Sequence, residues 1–456
     1  MDNKEIDIVF YGAAGTVTGS KILLSFRGKK ILIDCGLFQG LKHLRDKNWQ
    51  DLPINAFEID EVILTHAHLD HSGYLPRLVK QGFKGPIHAT PPTIELAQII
   101  LLDSAKIQEE EAADANERGY SKHTKALPLY DIEDAEEVAP LFVAHEYSEM
   151  VIINEDFKFQ FHHSGHILGG AIVEIFAGSK TIVITGDVGQ EKPLLLEPPK
   201  VLQKGNIVLM ESTYGDRLHF DENPKELIRD AIYKTYEKGG NLFIPTFAVE
   251  RAQEILYLLA QLMREKNMPN MPIYLDSPMA VKATHVFFDF PDWHILSKNE
   301  VDQMRKEVIL VSDYKESQRL VADDTPKIVL AGSGMITGGR ILHYLERHIR
   351  DSKNTILLAG FQAVGTRGHS LATGAQEVKF FGEWHTIKAE VVQMHSLSAH
   401  GDQNDLLNWL SNFKEGPEKV LLYHGELNAA HQLELKIWDT LNLDVETALP
   451  VVHYKF

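Results

Sequence analysis

The beginning of the chain alternates short apolar segments with polar, glycine-bearing turns. The apolar segments cover residues 6–10, 21–26 and 30–33. Hydrophobic runs of this length, bounded by turn residues, are typical of strands joined by hairpins. The pattern therefore predicts that the chain begins as β-structure.

The glycine-rich segment 12–19 invites comparison with a dinucleotide-binding loop. Such a loop must lead from a strand into a helix. Here the next segment, 21–26, has the pattern of another strand. We therefore interpret residues 12–19 as a turn and not as a nucleotide site.

The pattern becomes helical from residue 93 to about residue 118, where Leu96, Ile99, Ile100 and Ile107 recur at helical spacing. The overlapping stretch 103–140 contains eleven acidic residues against four basic ones. Runs of charge of this kind are usually solvated faces and loops. This stretch is expected to carry a good part of the negative charge of the chain.

Between residues 205 and 400, strand patterns alternate with glycine loops and helix patterns. A strand at 241–244 precedes a helix at 250–263, and a strand at 327–331 precedes a helix at 340–349. This alternation predicts βαβ units, a parallel sheet and a second α/β domain. Periodicity leaves open which domain takes up the further strand patterns 355–359, 390–393 and 419–423.

The composition is that of an ordinary globular protein with enough apolar material for at least two cores, since 44% of the 456 residues are hydrophobic. A single cysteine, Cys35, excludes an intramolecular disulfide and a thiolate metal cluster. The longest apolar run, 255–263, is far shorter than the ~20 residues that span a bilayer. Because residues 1–5 also lack a signal-peptide pattern, we expect a cytoplasmic protein with no membrane partner.

The net charge of −18 argues against nucleic acid as a partner of the whole surface. Domains that bind nucleic acid usually carry a basic face. A site for nucleic acid in this chain therefore has to be confined to a small part of the surface.

The strongest chemical signal is the segment His66-Ala67-His68-Leu69-Asp70-His71, which follows a predicted strand. Residues two apart in an extended segment share a side, so His66 and His68 can converge on one ion. Asp70 and His71 lie where the chain turns and can reach a second ion. Imidazole and carboxylate without thiolate suit Zn²⁺, with Mn²⁺ or Fe²⁺ as alternatives.

Other candidate ligands recur at the carboxyl ends of predicted strands, where α/β sheets bind their ligands. These residues are Asp34, Asp187, Glu211 and His424. His166 lies among glycines that let the backbone come close to an ion.

Together, these motifs resemble a known family. Asp34, the histidine-rich segment, His166 and Asp187 are similar in kind and order to the motifs of the metallo-β-lactamase fold. Glu211, His400 and His424 resemble three further motifs of its β-CASP branch, the nucleases that include ribonuclease J and the pre-mRNA 3′-end-processing endonuclease. The resemblance extends from residue 34 to residue 426.

This resemblance implies an αββα metallo-β-lactamase sandwich with an inserted β-CASP α/β domain, a parallel sheet with helices. The implied boundaries are 1–208 and 391–456 for the two parts of the lactamase-like domain and 209–390 for the insertion. It also implies two Zn²⁺ per chain. The implied ligands are His66, His68 and His166 for one ion, Asp70, His71 and His424 for the other, Asp187 as the bridge, and Asp34 orienting a ligand histidine.

The implied chemistry is hydrolysis of a phosphodiester by a metal-bound hydroxide. Asp70 belongs to this centre, His400 is the implied proton donor to the leaving oxygen, and Glu211 holds His400. The products are then expected to carry 5′-phosphate and 3′-hydroxyl ends.

Two glycine loops are candidates for binding the RNA backbone. Residues 332–340 lie between a predicted strand and a predicted helix, where free backbone N–H groups make an anion site. Residues 360–369 resemble a second phosphate-contacting loop of the family. The candidate RNA-binding residues in the two loops are Ser333, Gly334, Met335, Arg340, Thr366 and Arg367.

The leading hypothesis is therefore a zinc-dependent ribonuclease that cleaves single-stranded RNA, mainly as an endonuclease and with a possible 5′-exonuclease activity. A second hypothesis is a hydrolase of a small ester, thioester or nucleotide. Two further hypotheses are a nuclease acting on DNA and an inactive scaffold subunit. The resemblance is also compatible with a homodimer.

Overall fold

The structure is a computed structural model that describes residues 5–119 and 124–456. The chain divides into two compact units. The first unit comprises Met1–Leu218 and His400–Phe456, and the second unit comprises His219–Ala399. The second unit is therefore an insertion in the first. Residues 1–4, and residues 120–123 of the predicted acidic stretch, lie outside the described residues.

The strands of the described residues, in chain order, are β1 (Asp7–Gly12), β2 (Lys21–Phe26), β3 (Lys29–Ile33), β4 (Glu61–Ile63), β5 (Ile87–Ala89), β6 (Phe142–Ala144), β7 (Val151–Ile152), β8 (Phe157–His163), β9 (Ala171–Ala177), β10 (Lys180–Ile184), β11 (Ile207–Glu211), β12 (Leu242–Pro245), β13 (Ile273–Asp276), β14 (Val308–Val311), β15 (Ile328–Ala331), β16 (Thr355–Ala359), β17 (Glu377–Phe380), β18 (Glu383–Thr386), β19 (Glu390–Met394), β20 (Lys419–Tyr423), β21 (Val445–Thr447) and β22 (His453–Lys455).

The α-helices of the same residues are α1 (Lys42–Arg45), α2 (Leu69–Ser72), α3 (Leu75–Lys80), α4 (Pro91–Arg118), α5 (Ile132–Glu136), α6 (Pro224–Glu237), α7 (Arg251–Arg264), α8 (Pro278–Asp289), α9 (Lys298–Glu307), α10 (Tyr314–Ala322), α11 (Ile341–His348), α12 (Arg367–Ala372), α13 (Gln403–Leu410) and α14 (Leu427–Leu441). Short 3₁₀ turns lie at Asp46–Trp49, Ala56–Glu58, Ala139–Leu141 and Pro291–Trp293.

The first unit is built on two sheets that share a core. Their strand orders are β22-β1-β2-β3-β4-β5-β6 and β21-β20-β11-β10-β9-β8-β7. Ile22 and Ile31 of one sheet pack against Phe159, Val173 and Leu209 of the other. Burial of these side chains between the sheets holds the sandwich together.

Helices cover the outer faces of this sandwich. Strand β11 is buried at every position, and its alternate residues face opposite sides, as the two-residue period of a strand requires. Val208 and Met210 contact the outer layer, where Leu406 of α13 and Leu433 of α14 pack. On the other side, α4 contacts α2, α5 and β6. The predicted αββα sandwich is confirmed.

Parallel pairing brings together strand ends that carry polar residues. Strand β11 lies between β10 and β20 and is parallel to both. In this register Glu211 at the end of β11 pairs with Tyr423 at the end of β20. Asp187 and His424, which follow β10 and β20, therefore emerge at the same edge as Glu211.

The second unit contains a parallel sheet of order β14-β13-β15-β12-β16-β19. Phe243, Val329 and Ile356 of this sheet pack against Ile341 and Tyr344 of α11. Helix α6 contacts β12, β16 and β19. The predicted second α/β domain with a parallel sheet is confirmed.

The structure answers the question that periodicity left open about the last third of the chain. Strands β16 and β19 join the sheet of the second unit, whereas β20 joins the first unit.

The glycine-rich turn at residues 12–19 leads into strand β2 and not into a helix. The predicted long helix is α4, which begins at a Thr90 cap. Among the described residues, no helix has the length and apolar character needed to cross a membrane.

Truncation of Leu209 to alanine tests the shared core. Its side chain is fully buried between the two sheets, so Leu209→Ala is expected to lower the free energy of unfolding by about 2–5 kcal/mol. Chemical denaturation measures the change. The matched control is Leu435→Ala, whose leucine is 65% exposed, and a similar loss in that variant would contradict the assignment of the core.

Candidate metal centre

The histidine-rich segment lies at the junction of a strand and a short helix. Residues 64–68 connect β4 to α2, and Asp70 and His71 belong to the first turn of α2. His66 and His71 are buried. Because the extended part gives way to a helical turn between His68 and Asp70, the four polar side chains leave the backbone in two directions.

A first group of side chains gathers around His68. Its Nδ1 lies 3.2 Å from Nε2 of His66 and 3.1 Å from Nε2 of His166. Oδ2 of Asp187 lies 3.5 Å from Nε2 of both His66 and His166. These four ligand atoms could hold one metal ion.

A second group lies on the other side of Asp187. Nε2 of His71 is 3.0 Å from Nε2 of His424, which is 3.5 Å from Oδ2 of Asp70. Oδ1 of Asp187 is 3.4 Å from Nε2 of His71. Asp187 therefore turns one carboxylate oxygen toward each group.

The residues present fit divalent cations. Ligand nitrogens of a tetrahedral zinc site, with Zn–N distances of ~2.0–2.1 Å, lie ~3.3 Å apart. The separations of 3.0–3.2 Å between the imidazole nitrogens are close to this value. Oδ1 of Asp187 is buried, yet none of the described residues forms a hydrogen bond of acceptable geometry with it. A cation would satisfy this oxygen.

Burial is the main cause that lowers the pKa of His66 well below its usual value and the pKa of His68 to about 4. Both side chains are thus neutral near pH 7, which is the form that binds a metal. Burial alone would raise the pKa of Asp187, but the electrostatic interactions with His424 and His71 hold it well below its usual value. The carboxylate of Asp187 is therefore ionised near pH 7.

Asp34 follows β3 and supports both groups. Its Oδ2 accepts a hydrogen bond of 2.7 Å from Nδ1–H of His71, which leaves Nε2 of His71 to face the second group. The hydroxyl of Thr65 donates to Asp34 at 3.0 Å and lies 3.0 Å from Nδ1 of His66. The amide of Thr65 and the hydroxyl of Ser20 also donate to Asp34.

Two of the strand-end residues have a left-handed backbone. The φ angle is 59° at Asp34 and 49° at His424. A residue other than glycine pays a conformational cost there, which the surrounding contacts must offset. At His424 the amide donates to the carbonyl of Ala13 at 2.6 Å, and the hydroxyl of Thr213 donates to the carbonyl of His424 at 3.0 Å.

His400 lies beside the first group and contacts Glu211. Nδ1–H of His400 donates to Oε1 of Glu211 at 3.0 Å, and Nε2 of His400 lies 3.9 Å from Oδ2 of Asp187. Glu211 is fully buried and also accepts hydrogen bonds from the amides of Val188 and Thr213. Burial lowers the pKa of His400, but Glu211 and Asp187 outweigh this effect and raise it to about 9.

The two glycine loops predicted to contact RNA lie in the second unit and are tied to each other. The side-chain amide of Gln362 donates to the carbonyl of Gly334, and the amide of Gly368 donates to the carbonyl of Met335. The hydroxyl of Ser333 accepts from the amides of residues 337 and 338. Thr366 caps α12 through the amide of residue 369.

The two arginines of these loops have protein partners. Arg340 donates to Oδ1 of the buried Asp276 at 2.5 Å and to the carbonyls of residues 311 and 312. Arg367 donates to the carbonyls of Lys379, Ile336 and Thr337. Both guanidinium groups thus stabilise the loops, and the N–H groups of residues 333, 336, 337 and 338 also bond within the first loop.

Sequence reasoning missed the residues that join Asp34 to the ligand histidines. Thr65 and Ser20 carry common hydroxyl groups, and neither lies in a distinctive pattern. The only signal was position, since Thr65 directly precedes His66. Their contribution depends on pairing between segments far apart in the chain.

Comparison with known families agrees with this geometry. A metallo-beta-lactamase superfamily domain matches residues 23–213, and a Beta-Casp domain matches residues 252–371. A Zn-dependent metallo-hydrolase RNA specificity domain matches residues 384–449. Ribonuclease TTHA0252 of Thermus thermophilus is 37% identical over 92% of this chain and 93% of its own length. The chain belongs to the β-CASP family. The predicted family and the prediction of a hydrolytic enzyme are confirmed, and the fold implies a divalent metal.

Other proteins also match over most of this chain. An RNase J-like protein of Methanocaldococcus jannaschii is 31% identical over 97% of both chains. Transcription termination factor FttA of Pyrococcus abyssi is 34% identical over 92% of this chain and 67% of its own length. A protein of unknown function from Enterococcus faecalis shares the β-CASP chain's fold, with a TM-score of 0.56, 12% identity and coverage of 99% and 100%.

Replacement of Asp34 by asparagine tests its role in orienting the histidines. Asparagine also tolerates the left-handed backbone, so Asp34→Asn removes mainly the charge. The affinity for metal is expected to fall ~10–100-fold, as measured by competition with a chelator. An unchanged affinity would contradict the role assigned to Asp34.

Proposed function

We propose that this β-CASP protein is a zinc-dependent ribonuclease that cleaves single-stranded RNA, mainly at internal sites, with 5′-exonuclease activity as a secondary mode. The products are RNA fragments with 5′-phosphate and 3′-hydroxyl ends. The observation that carries the proposal is the contact between His400 and Glu211 beside two adjoining groups of metal-ligating side chains. Hydrolysis of a simple ester needs no such histidine.

In this proposal two Zn²⁺ ions are held by the two groups. His66, His68 and His166 would hold one, Asp70, His71 and His424 would hold the other, and Asp187 would contribute one oxygen to each. When bound, such ions lower the pKa of a water molecule and stabilise the negative charge that develops on the phosphate. Mn²⁺ is an alternative metal for the same nitrogen and oxygen donors.

His400 is the proposed proton donor. The leaving atom is the 3′-oxygen of the upstream ribose, which needs a proton as its bond to phosphorus breaks. The hydrogen bond to Glu211 fixes the ring of His400 through Nδ1. This arrangement leaves Nε2 to hold the proton that the leaving oxygen takes up. The pKa of about 9 keeps His400 protonated near neutrality.

RNA as the substrate is supported by the relatives and by the chemistry of the loops. The matched RNA specificity domain and the ribonuclease names of two relatives favour RNA. Gly334 and Met335 are proposed to present backbone N–H groups to phosphates. The hydroxyl groups of Ser333 and Thr366 bond within their own loops, so these two residues, with Arg340 and Arg367, are proposed to hold the loops in the shape that binds RNA. With a net charge of −18, binding should be modest and weaken as salt rises.

Cleavage of a 5′-labelled single-stranded RNA by the zinc-loaded protein tests the proposal. Internal fragments with 3′-hydroxyl ends are expected, together with loss of activity after treatment with a chelator and recovery after addition of zinc. A matched DNA strand and an ester substrate serve as comparison reactions. No RNA cleavage by protein that holds two zinc ions would overturn the proposal.

His400→Ala tests the proton donor directly. Cleavage of ordinary RNA is expected to fall ~10²–10⁴-fold, while metal content stays the same. A substrate with sulfur in place of the 3′-bridging oxygen has a leaving group that needs no proton. This substrate should restore most of the rate in His400→Ala.

Glu211→Gln is the companion variant, because it keeps the size of the side chain and removes its charge. It should lower the rate with ordinary RNA less than His400→Ala does, and the sulfur substrate should restore that rate as well. An equal defect of His400→Ala with both substrates would show that His400 does not supply the proton.

A further inference from the structure

A buried lysine lies next to the centre and takes no part in the proposed cleavage chemistry. Lys21 is the first residue of β2 and is only 2% exposed. Among the described residues, the structure places its ammonium group against backbone carbonyls and aromatic rings and not against a carboxylate. A buried ammonium group without such a partner is costly, so this residue calls for a structural or functional reason.

The ammonium group of Lys21 is held by backbone oxygens and by aromatic rings. It donates a short hydrogen bond to the carbonyl of Gly36 and a longer one, of 3.4 Å, to the carbonyl of Gly19. It also lies 4.7 Å from the ring centre of Phe38 and 4.8 Å from that of Tyr74. Cation–π contacts of this kind are strongest where water is excluded.

Gly36, which accepts a hydrogen bond from Lys21, is packed against the backbone of the second metal-ligating group. A Cβ built on Gly36 would lie 1.6 Å from the carbonyl oxygen of Asp70 and 2.6 Å from the amide nitrogen of His71. The backbones at this contact also pair, because the amide of Cys35 donates to the carbonyl of His71 at 2.7 Å. The backbone around Gly36 therefore packs directly against the backbone of Asp70 and His71 and helps to fix its position.

The first metal-ligating group is linked to Gly36 less directly, through the carbonyl of His68, which accepts from the amide of His71 at 2.9 Å. His66 and His68 precede α2, and His166 comes from the segment after β8. None of these three histidines supplies one of the atoms nearest to a Cβ built on Gly36. A change at Lys21 should therefore act on the two groups unequally.

We propose that Lys21 is a positioning residue for the second metal-ligating group, in which its ammonium group fixes the carbonyl of Gly36 and thereby the backbone of Asp70 and His71. The inference rests on the assignment of that group as a metal site. It does not depend on the substrate being RNA.

The test is a zinc titration of the metal-free protein with a competing chelator. The step that disappears in His424→Ala identifies the second group. In Lys21→Met, which keeps the length of the side chain without its charge, the affinity at that step should fall at least ~10-fold. The other step should change less than ~3-fold, and excess zinc should restore full occupancy.

A second variant keeps the proposal open to test if Lys21→Met folds poorly. Phe38→Leu keeps a large apolar side chain but removes one aromatic contact of the ammonium group. It should weaken the same step. Lys327→Met is the matched control, because Lys327 is also 2% exposed but lies in the second unit, and it should leave both steps unchanged.

Equal weakening of both steps, or the same result in Lys327→Met, would overturn the proposal and make Lys21 a residue of general stability. The outcome is independent of the cleavage assay. Selective loss of the second step without any RNA cleavage would uphold the role of Lys21 while the proposed function fails.

Discussion

The centre depends on one buried carboxylate, that of Asp34. A carboxylate excluded from water is tolerated only when hydrogen bonds satisfy its oxygens, and here the donors are Ser20, Thr65 and His71. The same bonds that satisfy Asp34 also orient His71 directly and His66 through the hydroxyl of Thr65. Neither histidine can turn freely without leaving a buried polar group unpaired. The hydrogen bonds of Asp34 therefore contribute to the stability of the fold and at the same time fix the orientation of the ligand histidines.

The sheet also brings residues that are distant in the chain together at one edge. Strands β10, β11 and β20 run parallel, so Asp187, Glu211 and His424 emerge side by side. The entropy of gathering these side chains is lost when the sandwich folds and not when a metal or substrate binds. The left-handed backbone at His424 is tolerated because Ala13 and Thr213 form hydrogen bonds with its amide and carbonyl groups.

Much of this arrangement could be predicted from the sequence, because its signals are local. Strand-end positions identified Asp34, Asp187, Glu211 and His424, and the spacing of the histidine-rich segment separated His66 from His71. Other roles depend on long-range packing and leave no local trace. One example is Arg340, an expected phosphate ligand, whose guanidinium group instead pairs with Asp276 and stabilises its loop. Another is Lys21, which is buried at the start of an ordinary strand. The division of the last strands between the two units was hidden for the same reason.

The order of the segments along the chain has a consequence for synthesis. His424 lies after the whole inserted unit, and β20, which positions it, pairs with β11 from before the insertion. The first metal-ligating group needs no residue after Asp187, so all its members precede the inserted unit. The second group lacks His424 until the chain has been synthesised past residue 424 and β20 has paired with β11. The two groups are therefore completed at different stages of synthesis, and the strand that follows the insertion completes the second.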